Sequence, residues 1–124
     1  GSDGSAICFD QGGRQPHPRN FGATARVLGR FVRDLHDLDM ATAINKMSGQ
    51  VAQRLRMHDR GVLAPGMAAD IVVFDPQEVR DRGTYLAPCQ QASGISHVFV
   101  NGQAVMCDGR LTDARPGQVL RASA

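Results

Sequence analysis

Asp59-Arg60-Gly61-Val62-Leu63-Ala64-Pro65-Gly66-Met67-Ala68-Ala69-Asp70-Ile71-Val72-Val73-Phe74-Asp75 is the stretch at which the sequence changes character. Pro65-Gly66 is a turn signal, because proline presets φ at one turn position and glycine accepts positive φ at the next. Ala69 to Phe74 is a short, nearly continuous apolar run, which predicts a strand. Asp75-Pro76 ends it, since proline has no N–H to donate to a ladder. Upstream, apolar residues recur at helical spacing. Downstream come β-rich runs and tight turns. Helices first and strands after predict an α+β chain, or pieces of two domains.

Working back from Asp59, Ala52 and Leu55 predict the inner face of a short helix over about 50–55, separated by Ser48-Gly49 from one over about 40–48. Asp39 is the N-cap of that second helix, and Met40, Ile44 and Met47 share one side. Phe21, Ala25, Leu28, Val32 and Leu35 step by three and four, which predicts a helix over about 21–36. Arg26, Arg30 and Arg33 fall off this stripe and read as a solvated face. Residues 1–20 carry Gly, Pro, Asp and Gln without periodicity and read as a loop. Pro16 and Pro18 bracket His17 and push the residues before them into extended backbone. The expected result is a stiff, polar loop presenting His17 and Arg19.

Working forward, residues 77–94 show no clear period. Ile95 to Val100 is a second strand. Asn101-Gly102 is the strongest short hairpin signal, because both positions of a type I′ turn need positive φ. Ala104 to Cys107 returns, and Asp108-Gly109 closes it. Arg115-Pro116-Gly117 leads to a last short strand over about 118–121. A hairpin alone is marginal in water, and the one-sided helical stripes also need partners. The strands from Ile95 to Cys107 offer edges that another chain could pair with.

The chain has 124 residues, one domain or part of one. No apolar run approaches the roughly 18 residues of a membrane span. A net charge of +2, scattered arginines and one tyrosine do not make a nucleic-acid surface. Cys8, Cys89 and Cys107 form no CxxC pair and read as small buried hydrophobes or loop thiols rather than metal ligands. Their odd count, without a secretory leader, predicts a reducing cytoplasm. Ser2, Ser5 and Ser48 lack a nucleophile-elbow context, and there is no Gly-rich phosphate loop.

A series of short matches runs the length of the chain: Gly1-Ser2-Asp3-Gly4, His17-Pro18-Arg19, Phe21-Gly22, Arg26 to Arg30, Arg60-Gly61, Pro65 to Asp70, Phe74-Asp75-Pro76, Gly94-Ile95, His97-Val98, Val100-Asn101-Gly102 and Ala114 to Gly117. In this order it resembles the C-terminal portion of the N-acyl-D-amino-acid deacylases, within the metal-dependent amidohydrolase superfamily. The Arg60–Pro76 block is shared across the superfamily. His17-Pro18-Arg19 and Arg115-Pro116-Gly117 point to the deacylase branch. The resemblance implies the last loop and helices of a (β/α)₈ barrel over residues 1–58. Residues 59–124 would then be the C-terminal half of a small β-sandwich.

The same resemblance implies zinc as cofactor, with most ligands upstream of this chain. It places Asp3 at the catalytic aspartate, both metal ligand and proton shuttle. A carboxylate there takes a proton from an acidified water and passes it to the leaving amine. Arg19 is the expected grip on the free α-carboxylate of an N-acyl-D-amino acid, since a guanidinium makes two parallel hydrogen bonds. Arg14 is the alternative, because the span from Asp3 to His17 is longer than the family pattern. His17 is assigned to substrate binding as a brace of that loop. Ala25 and Val51 stand where the family pattern has prolines. His36, His58 and His97 show no pairing. The partners expected are the small-molecule substrate and the remaining N-terminal part of the parent chain, with no nucleic acid or membrane and with a homo-oligomer through unpaired strands as an option. Two rival readings remain: a hydantoinase-like or dihydroorotase-like cyclic amidase fragment, and a non-catalytic α+β interaction module.

Overall fold

The computed structural model describes residues 2–5, 7 and 16–121. The elements run α1 (Arg19–Arg26), a π-helical continuation (Val27–Asp34), α2 (Met40–Met47), α3 (Gly49–Arg54), β1 (Ile71–Phe74), β2 (Ile95–Val100), β3 (Gln103–Cys107) and β4 (Arg110–Leu111). This is an α+β chain with one antiparallel sheet in the order β1-β2-β3-β4. Its contacts form two units that interleave in sequence: residues 1–38 with 75–94, and residues 39–74 with 95–124. Among the described residues, no helix is long and apolar enough to cross a membrane.

The first unit is built on α1 and its continuation. Ala25, Leu28 and Val32 of the predicted stripe are buried, and Val79 of the returning segment is fully buried. Leu35 is 48% exposed, against expectation. The reason is the widened π-turn, closed by Leu35 N–H donating to the Arg30 carbonyl at 2.9 Å. An i→i+5 helix turns less per residue, so later positions drift off an α-periodic stripe. The arginines are not simply solvated either. Arg26 pairs with Asp81 at 2.9 Å. The Arg33 guanidinium donates to the Val79 carbonyl at 2.7 Å.

Segment 75–94 packs backbone against backbone. Arg80 and Ser93 form an antiparallel bridge, and Asp75 N–H donates to the Gly94 carbonyl at 2.8 Å. Gly94 sits at φ +76, and a Cβ there would fall 2.6 Å from Val79 Cα. Only glycine combines that conformation with that approach.

In the second unit, Asp39 caps α2 as expected: its carboxylate accepts from Thr42 N–H at 2.9 Å and Thr42 Oγ1 at 2.6 Å. The Thr42 hydroxyl first, then the Thr42 N–H, hold the Asp39 carboxyl below its ordinary value. The buried residues of α2 and α3 are Ala43 and Ala52, whereas Ile44 and Leu55 are 40% and 48% exposed. Leu55 follows the last residue of α3, so it leaves the inner face predicted for it.

Ile71 faces Phe99, and Phe74 faces Ile95 across a bulge between Val73 and Phe74. Asn101 and Gly102 have φ of 48° and 78°, as the hairpin signal requires. Asp108-Gly109 does more than close β3. With φ of 49° and 73° it turns the chain into β4, where Cys107 faces Arg110. β2 and β3 are therefore paired on both sides, and the sheet edges are β1 and β4. This corrects the expectation that Ile95–Cys107 offers free strands. Residues 118–121 form no strand; the tail is instead held by Asn101 Nδ2 donating to the Pro116 carbonyl at 2.8 Å.

The Arg60–Asp70 motif is structural in this unit. Arg60 donates to Asp70 Oδ2 and pairs with Asp59 at 3.2 Å. The other Asp70 oxygen accepts from Asn101 N–H at 2.8 Å. One carboxylate thus ties the start of β1 to the β2–β3 turn. The Arg60 hydrogen bond holds the Asp59 carboxyl below its ordinary value.

Candidate active-site loop

The segment Ser2–Ser5 lies against the first turn of α1. Ser5 N–H donates to Asn20 Oδ1 at 2.8 Å, and Gly4 N–H donates to Ser2 Oγ at 3.2 Å. A Cβ on Gly4 would come within 2.9 Å of that Asn20 oxygen. Between these anchors Asp3 adopts φ 53°. Asparagine and aspartate tolerate this left-handed region better than other L-residues. Its side chain is 87% exposed and meets the Arg19 guanidinium at 3.3 Å.

Arg19 is the first residue of α1, not part of the loop before it, so the helix fixes its backbone. Pro18 gives no side-chain cap. His17 caps the helix in its place, with Nδ1 accepting from Arg19 N–H at 3.1 Å. As acceptor, Nδ1 carries no proton, which leaves the Nε2 hydrogen on the neutral ring. The ring meets Tyr85 edge to face, with centroids 5.2 Å apart and planes at 86°. Such T-shaped contacts hold a ring in place.

The structure therefore brings Asp3, Arg19 and His17 together. Arg14 and Cys8 lie outside the described residues. Asn20 and Tyr85 also shape the loop and were missed in the sequence. Asn20 stands in no motif, and Tyr85 sits in a segment without periodicity. Among the described residues, Asp3 belongs to no group of three His, Cys, Asp or Glu side chains close enough to share an ion; the one such group is His97, Cys107 and Asp108. That group belongs to the other unit. His97 is a strand position, in β2, and its Nε2 lies 3.7 Å from Asp108 Oδ1. Cys89 is half-buried in a segment without helix or strand, the loop thiol of the two readings, whereas Cys107 is exposed at the end of β3 and is not a buried hydrophobe.

Residues 4–106 match the amidohydrolase family model. The chain is 46% identical over 121 residues to an N-acyl-D-aspartate deacylase of Alcaligenes xylosoxydans xylosoxydans, covering 97% of this chain and 23% of that protein. It superposes on a D-aminoacylase crystal structure with a TM-score of 0.84 and 44% identity, over 86% of this chain and 23% of that one. A second solved structure is the N-acyl-D-glutamate deacylase of Bordetella bronchiseptica, complexed with zinc and a phosphonate mimic of the tetrahedral intermediate. It matches with a TM-score of 0.79 and 45% identity, over 87% of this chain and 23% of that one. The chain thus spans about a quarter of the relatives it matches.

Proposed function

Because this chain belongs to the amidohydrolase family, we propose that it is the C-terminal part of a zinc-dependent N-acyl-D-amino-acid deacylase. Residues 1–58 contribute the last loop and helices of the catalytic barrel, and 59–124 the closing strands of a β-sandwich. The exposed apolar residues Val72, Val73, Leu86 and Val119 support a chain whose faces are covered by the rest of its parent.

The observation that carries the reading is the Asp3–Arg19 pair at 3.3 Å. In an N-acyl amino acid, one carbon separates the scissile nitrogen from the α-carboxylate. The group that protonates that nitrogen and the group that grips that carboxylate must be neighbours. An ion pair so exposed is weakly held, so Arg19 can exchange Asp3 for a substrate carboxylate and leave Asp3 free to act.

The donor chemistry of Asp3 fits a zinc site in part. Its accessible carboxylate oxygen suits one coordination position, and the remaining ligands come from elsewhere in the parent. Zinc held there would supply Lewis-acid polarisation of the amide carbonyl and would lower the pKa of a water beside it. The Asp3 carboxylate accepts a proton from that water and delivers it to the amide nitrogen as the C–N bond breaks. Arg19 holds the α-carboxylate, and thereby the hand of the substrate. His17 holds the Arg19 backbone.

The test is metal content of the whole protein, with hydrolysis of matched N-acetyl-D- and N-acetyl-L-amino acids. Bound zinc and D-selective release of acetate are expected. A metal-free, inactive or L-selective protein overturns the reading. Arg19→Ala is expected to raise KM about 10–100-fold, the worth of a charged hydrogen bond, with a smaller change in kcat. An unchanged KM returns Arg19 to a structural role.

A further inference from the structure

The strongest cluster outside the proposed active site is His97, Cys107 and Asp108, whose donor atoms all lie within 4.8 Å of one another. We propose that these three side chains form a second metal site, one that takes a zinc-class divalent ion with a water in the fourth position. The proposal stands independently of the deacylase reading, because it uses only side chains of the sheet unit.

Topology gathers the three. Val98 faces Met106 in the β2–β3 ladder, so His97 and Cys107, one step beyond on each strand, come side by side. Asp108 opens the next turn at φ 49°. That turn is pinned by Gly109 N–H donating to the Ser96 carbonyl at 2.9 Å. The His97 ring lies parallel to Phe99, with centroids 6.2 Å apart and planes at 5°. Ring and turn are thus both held before any ion arrives.

The spacing suits the ion. With zinc–nitrogen and zinc–oxygen bonds near 2.0–2.1 Å and zinc–sulfur near 2.3 Å, tetrahedral donors stand about 3.3–3.6 Å apart. His97 Nε2 is 3.7 Å from Asp108 Oδ1 and Cys107 Sγ 3.9 Å from the other oxygen, Oδ2; taking one donor from each residue, all three lie within 4.8 Å of one another. Small rotations of side chains at the surface close the remainder. A thiolate, a carboxylate and a neutral imidazole carry two negative charges, matching a divalent cation. Nitrogen with sulfur selects the zinc class over magnesium and calcium. Binding releases the Cys107 thiol proton to solvent, because the thiolate is the ligand.

The test is titration of the whole protein, its catalytic site loaded with zinc beforehand, with cobalt(II), whose thiolate charge-transfer band reports a Co–S bond. One equivalent is expected to produce the band together with the strong visible absorption of a four-coordinate site. Cys107→Ser and His97→Gln should each abolish the band with the fold intact by circular dichroism, while Cys8→Ser and Cys89→Ser retain it. Asp108→Asn should weaken binding about tenfold or more, as loss of a metal-site carboxylate does. No band, or a band that survives Cys107→Ser or needs Cys8 or Cys89, overturns the site.

Discussion

Asp3→Asn in the whole protein is expected to lower kcat by about 10²–10⁴-fold, the usual worth of a placed general acid–base group. The substitution preserves shape and removes the charge that pairs with Arg19 together with the capacity to take a proton. Asp3 is 87% exposed, so no buried contact is lost, and asparagine also tolerates the φ of 53° found there. KM should change little, in contrast to Arg19→Ala, because substrate binding rests on the guanidinium. Metal content is expected to persist, since an amide oxygen can still ligate. Steady-state kinetics with metal analysis check all three points. Turnover close to that of the parent removes Asp3 from the mechanism.

Gly94→Ala is expected to destabilise the chain by roughly 2–5 kcal/mol, adding the left-handed penalty to the cost of overpacking. The added methyl meets Val79 N, Glu78 C at 2.5 Å and Val79 Cα at 2.6 Å. These are backbone atoms and cannot swing aside. Val79 is itself fully buried, so the strain falls on the centre of its unit. Gly66→Ala is the control: φ is +85° there but nothing lies within 4 Å, which leaves only the conformational cost of about 1–2 kcal/mol. Urea denaturation of both variants measures the difference. Equal losses in the two would mean that segment 75–94 relaxes around the methyl.

Local chemistry made some elements legible. Asp39 could be read as a cap because a short acceptor before an apolar helix meets an orphan N–H. Asn101-Gly102 could be read as a turn because few other pairs accept two positive φ values. Asp108-Gly109 carried the same signal, yet β4 is only Arg110–Leu111, too short for alternation to show. The π-helical stretch was not legible, since Leu28 and Val32 lie within it and still continue the spacing of Phe21 and Ala25; only Leu35 falls off the stripe. In the site, the residue types alone do not reveal Asp3, for an aspartate before glycine reads as a turn residue and its backbone does turn. Its assignment came from the order of motifs along the chain. The partners Asn20 and Tyr85 depend on tertiary approach, which no local spacing encodes.

The tie made by Asp70 has a consequence in polymer terms. β2–β3 and β3–β4 each close a two-residue turn, whereas β1 reaches β2 only after the excursion of residues 75–94. Loop-closure entropy rises by about 0.6 kcal/mol per doubling of length, so β1 is the strand whose docking loses the most chain freedom. It is also the strand fastened at both ends. The Asp75–Gly94 hydrogen bond closes the mouth of the excursion, and Asp70 latches the opposite end to Asn101. Two fixed points convert a long, statistically disfavoured loop into a short zipper. The aspartate of the Pro65–Asp70 motif therefore offsets an entropic deficit that the chain's own connectivity creates.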